Sequence, residues 1–156
     1  MISVDIPGNK ILNLENLVLD YNGTLAIDGI IINGVKEKLN YLSTKLNVHV
    51  ITADTFGKAA ENLSDVNCNL TILKSSNQQT EKQYFIKKIG ASGTVAIGNG
   101  LNDSLMLKDA ALGIVLIQQE GAAVKTLLNA DVVCYNILDA LDLLQNPLRL
   151  KATLRT

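Results

Sequence analysis

Short strand-like runs, each followed by a stretch of helical spacing, constrain this chain more than any other feature. The runs are residues 17–19, 48–51, 69–73, 94–97 and 112–116. They lack period-two alternation, so neither face of such a strand is expected to meet water. That is the pattern of a parallel sheet covered by helices on both sides. A further run, Val132-Val133, is short enough to suit an edge strand. Between the strands, Val35, Leu39, Leu42 and Leu46 fall at helical spacing. Residues 79–89 read as a second helix, with Tyr84, Phe85 and Ile89 as its core contacts. Residues 101–110, 122–128 and 137–144 carry later helices, and Pro147 separates the last of them from a tail helix over 148–156. The predicted fold is α/β, a three-layer, doubly wound parallel sheet of Rossmann type in one domain spanning 1–156.

Two segments fall outside that alternation. Residues 1–14 read as an extended piece with a turn at Pro7-Gly8-Asn9. Residues 25–32 have strand character on either side of Asp28-Gly29, a dipeptide that favours a tight hairpin. At 156 residues and 47% hydrophobic, the chain can bury a core without disulfides or metals to staple it. Basic and acidic residues number 14 and 15, with no basic run, so no nucleic-acid partner is expected. No apolar stretch approaches the roughly 20 residues of a membrane span. Asp5, Pro7 and Asn9 interrupt any apolar run at the start. A cytoplasmic protein is expected, with Cys68 and Cys134 as reduced thiols. His49, the only histidine, lies within a strand and reads as a packing residue.

Open parallel sheets bind ligands at the carboxyl ends of their strands. The residues leaving these strands are Asp20, Thr52 and Asn99, followed closely by Asn102 and Asp103. A carboxylate can attack phosphorus, a hydroxyl can hold a phosphate oxygen, and oxygen ligands around carboxylates suit Mg²⁺. Phosphoryl transfer asks for little beyond such positioning and charge neutralisation. Asp54 reads as a helix cap, and Glu120-Gly121 reads as a helix start with no chemistry of its own.

Asp20-Tyr21-Asn22-Gly23-Thr24-Leu25 resembles the first motif of the haloacid dehalogenase superfamily, which includes P-type ATPases. Thr52-Ala53-Asp54 is similar to their Thr-Gly-Asp, and Gly98-Asn99-Gly100-Leu101-Asn102-Asp103 to their Gly-Asp-Gly-x-Asn-Asp. Lys82 fits the lysine of the third motif, with Lys87 and Lys88 as competitors. The resemblance covers residues 17–135, and the order of the motifs is its main warrant. The run 98–115, with Asn129-Ala130-Asp131, is most similar to the phosphorylation domain of P-type ATPases. The segments between motifs leave room for a hairpin and one helix, but not for a nucleotide-binding or cap domain.

The resemblance implies a Mg²⁺-dependent phosphohydrolase in which Asp20 becomes an aspartyl-phosphate. Thr52, Ala53 and Lys82 would hold the phosphoryl group with it. Asp20, Asn22, Asn99 and Asp103 would form the metal shell, Asp103 either directly or as the partner of the lysine. The substrate would be a phosphorylated small molecule or a phosphoprotein. An uncapped site also favours a homo-oligomer, dimer or tetramer, as in the octulosonate-phosphate phosphatases, whose hairpin likewise follows the first motif. Two positions depart from the pattern. Asn22 stands where phosphatases of the superfamily carry a general acid and base, and an amide cannot do that work near neutral pH. Asn99 stands where they carry a metal-binding Asp, and brings no charge. Two readings therefore remain: a slow enzyme, or a phosphate- and metal-binding interaction module that has lost turnover.

Overall fold

The computed structural model describes residues 1–54, 57–74 and 76–156. The chain opens with an antiparallel pair, β1 (Ile2–Asp5) and β2 (Ile11–Leu14), joined through the Pro7-Gly8-Asn9 turn. Ile2, Val4, Leu12 and Leu14 alternate with exposed residues, and this one-sided pattern seals the pair against the core. The central strand β3 (Asn16–Leu19) follows and is buried throughout. The hairpin β4 (Ala26–Ile27) and β5 (Ile30–Ile31) turns on Asp28 and Gly29, both at positive φ.

Next come α1 (Val35–Leu42), β6 (Asn47–Thr52), the single-turn α2 (Ala59–Asn62), β7 (Asn69–Ile72) and α3 (Gln78–Ile89). The second half holds β8 (Thr94–Gly98), a 3₁₀ turn at Leu101–Asp103 running into α4 (Ser104–Asp109), and β9 (Leu112–Leu116). It ends with α5 (Val124–Leu128), β10 (Val132–Cys134), α6 (Ile137–Gln145) and α7 (Pro147–Leu154). Pro147 occupies the first turn of α7, where its missing N–H costs nothing.

The main sheet has six parallel strands in the order β10-β9-β8-β3-β6-β7. Alternate residues of each strand feed opposite faces. Leu17, Leu19, Val50, Ile97 and Ile114 join α1 and α6 on one side; Val18, Ile51, Ala96 and Val115 join Ile86, Met106 and Leu107 on the other. This is the expected three-layer arrangement, with a hairpin and no cap among the described residues. After β3 the chain builds outward to β7, then returns to lay β8 on the other side of β3. The switch point is thus the carboxyl end of the β3–β8 pair, where Asp20 and Gly98 emerge.

Three local expectations change. Tyr84 is 68% exposed, because α3 turns Lys82 and Ile86 inward. Leu46 is buried but lies past the end of α1, in the turn before β6. Residues 122–123 stay irregular, and α5 starts only at Val124. His49 does pack within the fold, edge-on to Phe85 at 5.4 Å.

The sheet and α4 meet closely at Gly113, where an added Cβ would lie 2.5 Å from the backbone oxygen of Leu107. Because the obstacle is backbone, it cannot rotate away. Gly113→Ala is expected to destabilise the protein by about 1–3 kcal/mol in urea unfolding.

Candidate active site

At the switch point the backbone of β3 runs into a tight loop. The Tyr21 carbonyl accepts from the N–H groups of Leu25 and Ala26, at 2.8 and 3.0 Å, which turns the chain at once after Asp20. Gly23 sits at φ +77, and a Cβ there would press to 2.7 Å or less on the Asn99 side-chain amide. The glycine thus lets the loops after β3 and β8 close on each other. Tyr21 is fully buried; Asn62 of α2 donates to its hydroxyl at 2.7 Å and to the Gly29 carbonyl at 3.1 Å, fastening the hairpin to the body.

Lys82 reaches into this junction from α3 with no exposed surface. Its Nζ donates to Oδ1 of Asp20 at 2.6 Å and to Oδ1 of Asp103 at 2.7 Å. The other oxygen of Asp103 accepts from the backbone N–H groups of Asn99 and Gly100, at 3.0 and 2.9 Å. Asp103 is fully buried, faces the lysine and the loop backbone, and does not line the open cleft. Of the two roles the sequence left for it, the contact with the lysine is the one made here. Gly98 has no Cβ because Asp103 occupies that space, 2.5 Å away. The competing lysines point elsewhere: Lys87 pairs with Asp109 on the surface and Lys88 lies along an outer groove.

Burial, then the negative charge of Asp103, push the Asp20 carboxyl up to about 7 from its ordinary 3.8, against the pull of Lys82. Burial works against the charge on Lys82 as well, but the two carboxylates outweigh it and raise its pKa. One ammonium shared by two carboxylates leaves a net negative charge, which a cation at the cleft would offset.

The cleft measures about 140 Å³ and is lined by Asp20, Asn22, Thr52, Ala53 and Asn99 among the expected residues. A larger groove, about 510 Å³, runs between Leu73 and the outer face of α3, but it contains none of the strand-end residues. Thr52 is buried, and its oxygen accepts from Asp54 N–H at 2.9 Å, leaving its own proton to donate. Asp54 accepts from the N–H groups of Lys58 and Ala59, capping α2 from outside the usual cap position. Asn22 carries a buried Oδ1 with no hydrogen-bond partner among the described residues. The Asn99 amide donates to the Gly121 carbonyl at 2.9 Å, a bond no carboxylate could make.

The cleft also holds Asn102, which follows the end of β8, together with Gln78 and Glu120, neither of them expected as a site residue. Glu120 reads in the sequence as a helix start, yet it lies in the loop leaving β9. The strand-end rule that finds Asp20 and Thr52 points after β9 to Ile117, short of Glu120.

No protein-family model matches the sequence. Over 78 residues the chain is 61% identical to an uncharacterised protein of Methanocaldococcus jannaschii, a match spanning 50% of this chain and 78% of that protein. A second uncharacterised protein of the same archaeon is 46% identical over 39 residues, 25% of this chain and 89% of the relative. The chain belongs to the same family as these archaeal proteins. Among solved structures, the cobalt-bound deoxy-D-mannose-octulosonate 8-phosphate phosphatase of Haemophilus influenzae superposes with a TM-score of 0.71. It is 14% identical, over 92% of this chain and 94% of that one. This is the haloacid dehalogenase fold. The octulosonate-phosphate phosphatase of Moraxella catarrhalis, solved with magnesium, phosphate and a KDO molecule, gives 0.67 at 17% identity, over 86% and 87% of the two chains. An apo phosphoserine phosphatase gives 0.63 at 15% identity, over 83% and 98%. The match to the H. influenzae enzyme runs nearly the length of both chains.

Removing the shared ammonium would leave two buried carboxylates facing one another. Lys82→Met is expected to cost about 3–5 kcal/mol of stability, whereas Lys87→Met at the surface should cost at most ~1 kcal/mol. Asp20→Asn removes one of the competing charges, so its melting temperature should equal or exceed the wild-type value. Parallel thermal scans of the three variants check all of this.

Proposed function

We propose that this protein is a Mg²⁺-dependent phosphohydrolase that works through an aspartyl-phosphate on Asp20. The observation that carries the reading is the Asp20–Lys82–Asp103 contact at the switch point, opening onto a cleft that Thr52 also lines. In this reading Asp20 attacks the phosphorus of a phosphomonoester and the alcohol oxygen leaves. Water then attacks the phosphorus of the aspartyl-phosphate, releasing phosphate and restoring the carboxylate. Lys82 orients Asp20 and offsets charge on the transferring group, and the Thr52 hydroxyl donates to a phosphoryl oxygen. Ala53 lines the same wall and offers backbone to that group.

The residues present fit the cation. The donors are all oxygens, which suit a hard dication, and the unpartnered Asn22 Oδ1 marks a spot where a polar partner is missing. Asp20, the backbone carbonyl of Asn22 and Oδ1 of Asn99 would hold it. When bound, Mg²⁺ supplies charge that draws the phosphoryl oxygens toward Asp20 and favours its ionised form.

Asn22 sets the rate. With no carboxyl two residues after the nucleophile, no side chain at that position protonates the leaving oxygen or activates the water. P-type ATPases, which the motifs resemble, likewise lack an Asp there. The substrate is a phosphorylated small molecule or phosphoprotein whose leaving group tolerates slow protonation. The alternative, a binding module without turnover, draws on the same two asparagines. It is favoured by the Asn99 amide, which serves the loop through Gly121.

A phosphoester panel with Mg²⁺ separates the two. Asp20→Asn should abolish turnover, and Asn22→Asp should raise it by up to ~10²–10⁴-fold. Turnover unchanged in Asp20→Asn would defeat the enzymatic reading, and Mg²⁺ and phosphate binding with no turnover across the panel would favour the module.

A further inference from the structure

The electrostatics of the cleft contain a gap. Asp103 is committed to Lys82 and to backbone amides, so Asp20, Asp103 and Lys82 together offer a dication one net negative charge. Asn99 adds none. The cleft nevertheless contains a second open carboxylate. A Cβ built on Gly23 would lie 2.8 Å from Glu120 Oε2 and 2.6 and 2.7 Å from Nδ2 and Oδ1 of Asn99, so the two side chains meet beside the loop that follows Asp20.

The Glu120 loop is held there from both sides. Gln118 donates to the carbonyls of Gly23 and Thr24, at 2.7 and 2.8 Å, and accepts from Ile137 N–H at 3.0 Å. Gly121, at φ +72, donates to the Gln118 carbonyl at 2.7 Å, closing a tight turn around Glu120. The Asn99 side chain clamps the far end through the Gly121 carbonyl, and its backbone carbonyl accepts from Ala123 N–H at 2.9 Å. An aspartate at 99 would put a carboxylate against the Gly121 carbonyl and release that clamp.

We propose that Glu120 is the second anionic group of the cation site: Asn99 gives up the charge in order to hold the loop, and Glu120 restores it. The site then presents two net negative charges to a divalent cation. The proposal rests on the phosphohydrolase reading for the place of the cation, and adds a residue from a loop outside the four motifs.

The test is calorimetric titration of the substrate-free protein with Mg²⁺ and with Mn²⁺ at constant ionic strength. It compares wild type, Glu120→Gln, Asp20→Asn and a surface control, Glu37→Gln. Glu120 is exposed, so its neutral variant should fold. Glu120→Gln is expected to weaken cation binding by about 10–100-fold, with Glu37→Gln unchanged. Adding Asn99→Asp to Glu120→Gln should recover part of the loss, because the charge returns beside the same loop. Cation affinity of Glu120→Gln within about twofold of wild type, with Asp20→Asn impaired, would overturn the role of Glu120 while leaving the Asp20 site intact. Slower turnover of Glu120→Gln at unchanged cation affinity would overturn that role equally. No cation binding by wild type would defeat both this proposal and the metal dependence of the proposed enzyme.

Discussion

A lysine with no solvent exposure, held between two carboxylates, is the contact on which the rest of the site depends. Lys82 joins the end of β3, the middle of α3 and the turn before α4, three pieces distant in sequence. An ammonium in such a place is tolerable only if paired and hydrogen-bonded, and a buried pair of this kind is weak evidence for stability by itself. Its strong effect is on arrangement. Asp103 must face inward, so Gly98 can carry no Cβ. Asp103 must also accept from Asn99 and Gly100, which fixes the loop after β8. Asp20, the lysine and the loop are therefore one unit, and a change at any of them is felt by the others.

Around that unit the loops are tied by polar side chains. Gln118 grips the loop after β3, Asn99 grips the loop after β9, and Thr126 donates to the Gly100 carbonyl at 2.7 Å. Short polar links of this sort satisfy backbone groups that strands and helices leave unpaired at their ends. They also leave the cleft open but shaped, with carboxylates, amides and the Thr52 hydroxyl along its wall among the described residues. Among the described residues no helix is long and apolar enough to cross a membrane.

The order of strands and helices was legible in the sequence because buried parallel strands produce continuous apolar runs, and 112–116 matched β9 to the residue. The Asp28-Gly29 hairpin was legible because its turn demands positive φ. Tyr84 misled because Lys82 holds a buried position normally taken by an apolar residue, which shifts the apparent face of α3. The four-residue α2 is too short to show any period. Asp103 carried two readings until its partners were visible, since a carboxylate near a lysine and near a metal look alike in sequence. Glu120 and Gln118 were missed because their loop has no period and belongs to no motif; only folding brings that loop against Gly23.

The central claim is that Asp20 carries the phosphoryl group. The protein would be incubated with Mg²⁺ and a reactive phosphoester such as p-nitrophenyl phosphate, quenched in acid, and mapped by peptide mass spectrometry, with borohydride reduction to mark any acyl phosphate. The account predicts phosphate on the peptide containing Asp20, labile to hydroxylamine and converted by reduction to homoserine at that position. The weak acid–base assistance expected from Asn22 should let this intermediate accumulate. Release of phosphate with no label at Asp20, or a label at another residue, would contradict it.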